Sequence, residues 1–101
     1  MNILSEKENG ILTLRLSGRL DTVTAPELDK AVSEGAAGCS GIIFDLNDLS
    51  YTSSAGLRIF LKAQKLMRGN GTMKLTNVCE SVMEIFEMTG FTDMMDIEAK
   101  S

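Results

Sequence analysis

Four residues of this 101-residue chain stand where their types and spacing could do chemistry: the adjacent hydroxyls Ser53 and Ser54, and the carboxylates Asp21 and Asp45. The serines sit where a helix is expected to begin, shortly after an apolar run, Ile42-Ile43-Phe44, that reads as a buried strand ending on Asp45. A hydroxyl at a helix start is a favourable place for a phosphoryl group, because free amides and the helix dipole stabilise the new anion. Phosphorylation adds about −1.5 to −2 charge units at neutral pH. One of the two serines is also expected to cap the helix, its side-chain oxygen accepting a backbone N–H. Asp21 and Asp45 both follow strands. They are expected either to cap a turn or to converge on the serine loop, where they accept its hydrogen bonds or bind a partner's cation.

Other chemistry is narrowed by what the chain lacks. It contains no histidine, which removes Ser-His-Asp and Cys-His nucleophile pairs and almost every catalytic zinc site. Paired carboxylates can do acid–base work, but no nucleophile, metal cluster or sugar-binding aromatic set accompanies Asp21 and Asp45. No catalytic residue and no metal ligand is therefore assigned. Gly69-Asn70-Gly71-Thr72 lacks the lysine of a phosphate loop and reads as a helix-to-strand turn. Cys39 and Cys79 share no motif spacing, so no disulfide is expected.

Periodicity predicts the elements that hold these groups. Asn2–Glu6 reads as a strand and Asn9-Gly10 as a tight hairpin turn, whose central positions need positive φ. Leu12, Leu14 and Leu16 then alternate with polar residues, a half-buried strand. Thr24-Ala25-Pro26-Glu27 reads as a capping box opening a helix, with Leu28, Ala31 and Val32 on its apolar face and Gly35 as its stop. Gly41–Leu46 is the buried strand, followed by a short polar loop. A second helix is predicted from about Ser54 to Met67, with Leu57, Phe60, Leu61 and Gln64 on one face. Thr72–Thr76 reads as a strand. Asn77-Val78-Cys79-Glu80 reads as a second capping box, opening a helix that ends at Gly90, and a short edge strand is predicted near Ile97. The order β-β-α-β-α-β-α-(β) implies an α/β fold: a mixed, mostly parallel four- to five-stranded sheet with an N-terminal hairpin and helices packed against it. The length suits one domain over residues 1–101. Most of the seven methionines, including Met83, Met88, Met94 and Met95, are read as core filler.

A net charge of −4 argues against direct nucleic-acid binding. No apolar run approaches the ~18 residues a membrane helix needs, and the N-terminus does not read as a signal peptide, so a cytoplasmic protein without membrane insertion is expected. The charge is uneven. No acidic residue lies between Leu49 and Cys79, where Arg58, Lys62, Lys65, Arg68 and Lys74 are basic, whereas the segment from Glu80 onward is acidic. The basic residues form either the solvated face of an amphipathic helix or a polar docking surface.

Three segments, taken together, resemble the STAS domain family, the sulfate-transporter and anti-sigma-antagonist module, in its stand-alone bacterial antagonist form. Gly18-Arg19-Leu20-Asp21 with Thr24-Ala25-Pro26-Glu27-Leu28 is similar to the family's first loop and helix start. Phe44-Asp45-Leu46 with Asp48-Leu49-Ser50-Tyr51 is similar to its central strand and the loop after it. Ser53-Ser54-Ala55-Gly56-Leu57-Arg58 is similar to its signature at the second helix. The resemblance implies a partner-switching regulator of transcription that catalyses nothing and needs no cofactor. The unphosphorylated form binds an anti-sigma factor that is also a serine kinase and so frees the sigma factor. The kinase phosphorylates a serine in the signature loop, the complex dissociates, and a phosphatase resets it.

In the best-known form of that signature, Asp-Ser-Ser-Gly, the second serine carries the phosphate. Aligning on Gly56 puts Ser53 at the aspartate, Ser54 at the first serine and Ala55 at the usual acceptor. Alanine has no hydroxyl, so the resemblance implies Ser54, and after it Ser53, as phosphoacceptor. It implies a partner-binding face built from Asp21, Thr22, Thr24, Asp45, Tyr51, Thr52, Ala55, Gly56, Arg58 and Lys62, on a monomer or weak dimer. The alternative is a phosphorylation-independent STAS scaffold, a subunit of a transporter or signalling complex.

Overall fold

Asn9 and Gly10 set the first pairing of the sheet. Both have positive φ, 53° and 80°, and the strand β1 (Asn2–Glu8) folds back antiparallel on β2 (Ile11–Leu20) around them. The computed structural model describes residues 1–69 and 71–100, so Asn70 of the expected helix-to-strand turn lies outside the described residues. After β2 the chain alternates. Helix α1 (Ala25–Gly35) leads to β3 (Gly41–Thr52), α2 (Ser54–Met67) to β4 (Thr72–Val78), and α3 (Glu80–Met88) with the short α4 (Phe91–Met94) to β5 (Asp96–Ala99). The strand order is β1-β2-β3-β4-β5, and every pair after the first is parallel. The mixed, mostly parallel sheet expected from the sequence is thus present, with the short fifth strand at Ile97.

Each crossover adds its strand on the same side of the previous one, so right-handed connections place the helices on one face of the sheet. Burial agrees. Leu12, Leu14, Leu16, Ile42, Phe44, Leu46 and Leu75 are buried beneath the helices, while their neighbours Thr13, Arg15, Ile43 and Asp45 are partly or fully exposed. Ion pairs cover part of the open face: Arg15 with Glu6 at 2.8 Å and with Asp45 at 3.6 Å, and Lys74 with Glu98 at 2.9 Å. On the helical side four aromatic rings make a continuous chain. Phe44 meets Phe60 edge-on at 5.1 Å, Phe60 meets Phe86 at 5.9 Å, and Phe86 stacks on Phe91 at 5.7 Å.

Several expectations are corrected. The buried strand does not end near Asp45; β3 runs on to Thr52. Two irregularities in its register with β2 each absorb one extra residue, between Asp45 and Asp48 and between Leu49 and Tyr51. A bulge lets polar residues stay in a paired strand while breaking its alternation, which is why Asn47, Asp48 and Ser50 resemble a loop in sequence. Neither expected capping box forms. Thr24 has helical backbone angles and makes no cap bond to its own helix. Asn77 has a φ of 56°, and its amide donates to Asp45 instead. Gly35 is not a left-handed stop: it ends α1 where a Cβ would approach Leu12 Cδ2 to 2.8 Å. Met67 and Met95 are buried, but Met88 and Met94 are exposed rather than core filler. Cys39 and Cys79 are free thiols. No helix among the described residues is long and apolar enough to cross a membrane.

Candidate functional site

The paired residues Leu20 and Thr52 close the β2–β3 ladder, and everything at the serine end is built on this rung. Ser53 continues the pairing, its N–H donating to the Leu20 carbonyl at 2.8 Å, and its backbone stays extended (φ −95°, ψ 176°). The Ser53 carbonyl then accepts the first helical bond of α2 from Leu57 N–H at 3.1 Å. Because Ser53 still belongs to the sheet, its hydroxyl points into the protein instead of over the first helical turn. No side-chain cap bond forms there, and Ser53 Oγ is buried without a hydrogen-bond partner. The expected serine cap is therefore absent, and the Ser53 oxygen is closed to a phosphoryl donor. Ser54, the first residue of α2, is exposed.

The floor of the site is packed tightly. Thr52 is 2% exposed, and its hydroxyl donates to the Ser53 carbonyl at 3.3 Å. Gly56 is buried as well. A Cβ on Gly56 would lie 2.5 Å from Thr52 Oγ1 and 2.6 Å from Leu20 Cδ2. Thr52 and Gly56, expected on a binding face, instead seat α2 on the sheet from beneath. Ala55 is half-buried beside Ser54.

Next to Ser54 the chain turns from β2 into α1. Asp21 Oδ1 accepts from Val23 N–H and Thr24 N–H, each at 3.0 Å. The Thr24 hydroxyl accepts from Asp21 N–H at 2.9 Å, and its own proton faces the Arg19 carbonyl at 2.8 Å and the Asp21 carboxylate at 3.1 Å. These bonds, that from Thr24 N–H foremost, hold the Asp21 carboxyl below its ordinary value. Asp21 is therefore the turn cap, not a ligand to the serine loop. The turn exposes Thr22 and Val23, the latter to 83%. Alongside, the Arg19 guanidinium lies 4.3 Å above the Tyr51 ring, a cation–π contact across the last pairs of the ladder. Arg58, one turn into α2, is exposed and has no ion pair among the described residues.

Two expected members lie elsewhere. Asp45 pairs with Arg15, five β2 residues before Leu20, which separates it from the serine end by about 16 Å of strand. Its carboxylate accepts from Asn47 N–H at 3.1 Å and from the Asn77 amide at 3.0 Å. Lys62 reaches across to α1, donating to Asp29 at 2.6 Å and Ser33 at 3.3 Å. The site thus gathers Asp21, Thr22, Thr24, Tyr51, Ser54, Ala55 and Arg58, and it gains Arg19 and Val23. Val23 is marked in the sequence as the lone apolar residue among polar turn residues, whereas Arg19 has no such signal, because its place opposite Tyr51 depends on the two register shifts between β2 and β3. A cleft of about 680 Å³ lined by Ser33, Gly38, Ser40, Lys62 and Leu66 opens towards the opposite end of the sheet, away from these groups.

Comparisons with known proteins identify the family and the fold. The family model described as the STAS domain matches residues 2–101. The chain is 33% identical over 105 aligned positions to the anti-sigma-B factor antagonist of Bacillus subtilis, covering 100% of this chain and 95% of that protein. An anti-sigma factor antagonist from Mycobacterium paratuberculosis has a similar structure, with a TM-score of 0.88 at 21% identity over 96% of this chain and 84% of that one. The phosphorylated form of the Bacillus cell fate determinant SpoIIAA superposes with a TM-score of 0.67 at 22% identity, over 95% and 90% of the two chains.

Proposed function

The chain belongs to the STAS domain family, and from that premise we propose that it is an anti-sigma factor antagonist switched by phosphorylation of Ser54. Unphosphorylated, it binds an anti-sigma factor that is also a serine kinase; the kinase transfers a phosphoryl group to Ser54, and a phosphatase removes it. The antagonist supplies no catalytic group and works as a monomer or weak dimer in the cytoplasm. The similarity to the Bacillus subtilis antagonist over nearly the whole of both chains supports the role.

One observation carries the choice of acceptor. Ser54 is the exposed hydroxyl at the start of α2, while Ser53 Oγ is sealed and Ala55 has none. A phosphoryl group there faces the amides of the first helical turn and a side chain one turn on, Arg58, that is free to meet it. The fold accepts the modification, whereas a partner seated on Ser54 meets about two added negative charges. Ala55 favours a second reading, a scaffold in a larger complex that is never phosphorylated.

The test is phosphotransfer. Each serine-kinase anti-sigma factor of the source organism is purified and incubated with the chain and ATP, and the modified residue is located by mass spectrometry. Phosphate on Ser54, lost in Ser54→Ala, is expected. Ser54→Asp is expected to bind the kinase more weakly than Ser54→Ala. Absence of phosphate with every kinase, together with co-purification of a membrane transporter, favours the scaffold.

A further inference from the structure

The sheet has β1 at one edge and β5 at the other, and the two are guarded differently. β5 is 4 residues long and carries Asp96 and Glu98, a short charged edge of the kind that discourages pairing with other chains. β1 is 7 residues long, has no proline, and pairs with β2 from Asn2 to Glu8 without a register shift. Its charges, Glu6, Lys7 and Glu8, lie in its second half, and Asn2-Ile3-Leu4-Ser5 carries none. Leu4 is 63% exposed and, opposite Arg15, lies on the open face of the sheet. On the other face α1 stops short of the edge. Ser5 and Lys7 are exposed there, and a groove of about 370 Å³ lies between Ile3 and Ser5 of β1 and Ala31 and Gly35 of α1. A further strand has room beside β1 on both faces.

We propose that this strand is β1 of a second copy, paired antiparallel about a two-fold axis at Leu4, so that the two sheets become one. The side chains select the occupant and the register. Under two-fold symmetry residue i faces j as j faces i. With the axis at Leu4, Leu4 faces Leu4, Ile3 faces Ser5, and Asn2 faces Glu6, whose carboxylate is already held by Arg15 at 2.8 Å. No like charges oppose. An axis at Ser5 sets Leu4 against Glu6 and Ile3 against Lys7, and one at Glu6 or Lys7 sets a charge against itself, which destabilises. An axis at Ile3 shortens the overlap and leaves Leu4 against Asn2. The charges of α1 that border the groove, Glu27, Lys30 and Glu34, alternate in sign. The backbone fits as well. The pair flanking a two-residue turn, here Glu8 and Ile11, exchanges both hydrogen bonds, and alternation then turns the N–H and C=O of Ile3, Ser5 and Lys7 outward. Leu4 falls in a non-hydrogen-bonded pair, where side chains come closest. So small a contact gives a weak dimer, well short of a standard interface. The axis also reverses every strand, so the two serine ends point to opposite sides of the dimer and, under the function proposed above, can hold two partners at once. The pairing itself needs nothing of that function.

The full chain is followed by sedimentation equilibrium from about 10 µM to about 1 mM, a range suited to a weak dimer. Wild type is expected to pass from monomer to dimer across it. Leu4→Lys sets two ammonium groups against each other at the axis, and Ser5→Pro removes an outward N–H while sparing the ladder with β2. Both are expected to stay monomeric throughout, with thermal melts that match wild type; Leu4→Lys decides alone where Ser5→Pro melts early. Cross-linking then reads the register. In a Cys79→Ser background, which leaves only the buried Cys39, Leu4→Cys is expected to form an intermolecular disulfide with oxidised glutathione about tenfold faster than Glu6→Cys, since only Leu4 meets its own copy directly. A wild type that is monomeric at every concentration overturns the proposal. A dimer that survives Leu4→Lys lies on another surface and overturns it too. Faster cross-linking through Glu6→Cys than through Leu4→Cys overturns the axis at Leu4.

Discussion

Ser53 carries the one buried side-chain oxygen without a hydrogen-bond partner among the described residues. Such a group forfeits its hydration for nothing, a loss of about 1–3 kcal/mol. Ser53→Ala is therefore expected to leave stability unchanged or raise it by up to about 1 kcal/mol in urea unfolding, with Ser54 phosphorylation retained; a clear loss of stability would show that the hydroxyl is bonded. Gly56 behaves oppositely. An added methyl meets Thr52 Oγ1 at 2.5 Å and Leu20 at 2.6 Å, so Gly56→Ala is expected to destabilise by about 1–3 kcal/mol. Asp21 makes its contribution as the ionised carboxylate. Its folded-state pKa lies below the ordinary 3.8, so the stability it adds is present above that value and is lost as pH falls through the lowered one. The stability gap between wild type and Asp21→Asn is expected to be open at neutral pH and to close on acidification below about pH 4. Urea midpoints followed across that range measure it, and a gap independent of pH rules out the carboxylate as the turn's cap. The sequence marks Ser53, Gly56 and Asp21 as a motif. It does not say which oxygen faces inward, because that depends on Ser53 still pairing with Leu20.

Elements were legible where pattern and turn chemistry agreed. The second helix lies at Ser54–Met67 as its apolar spacing predicts, and the Asn9-Gly10 turn has the expected positive φ values. The strand β3 was legible only in its first half. Its two bulges insert residues that break the period of two, so a reading that relies on alternation stops at Leu46 and moves Asp45 to the wrong end of the sheet. The displacement is testable. Asp45 joins elements rather than serving the serine loop: it receives Asn77 of β4 at 3.0 Å and stands 3.6 Å from Arg15 on β2. Asp45→Ala is expected to cost about 1–2 kcal/mol in urea unfolding, because charged hydrogen bonds are lost at a partly exposed site. The rate of Ser54 phosphorylation is expected to stay within twofold. A large drop in rate with an unchanged melt would return Asp45 to the partner surface. Lys62 is the same case on the helices. Its pair with Asp29 links α2 to α1, but both side chains are more than two-fifths exposed, so Lys62→Met is expected to change stability by less than about 1 kcal/mol.

At the scale of the molecule, a sheet covered on one side has a single core, and the aromatic chain crosses most of it. Phe60 is the central member: it is fully buried and joins Phe44 of β3 to Phe86 of α3, which stacks on Phe91. The same helix presents Ser54 and Arg58 to solvent, so the core grips the helix by the face opposite the switch. Removing a buried phenylalanine ring costs about 3–5 kcal/mol, against a total of about 5–15 kcal/mol for a domain of this kind. Each kilocalorie moves the melting temperature of a chain this size by about 4–8 °C. Phe60→Ala is therefore expected to lower the melting temperature by roughly 12–40 °C and Phe60→Leu by much less, both read by circular dichroism. Well below the melt, Ser54 of Phe60→Ala is still expected to be phosphorylated, since the ring touches core residues and not the exposed turn. A variant that stays stable yet loses phosphorylation would mean that Phe60 sets the angle at which α2 presents Ser54, and that core and switch are not separable in this fold.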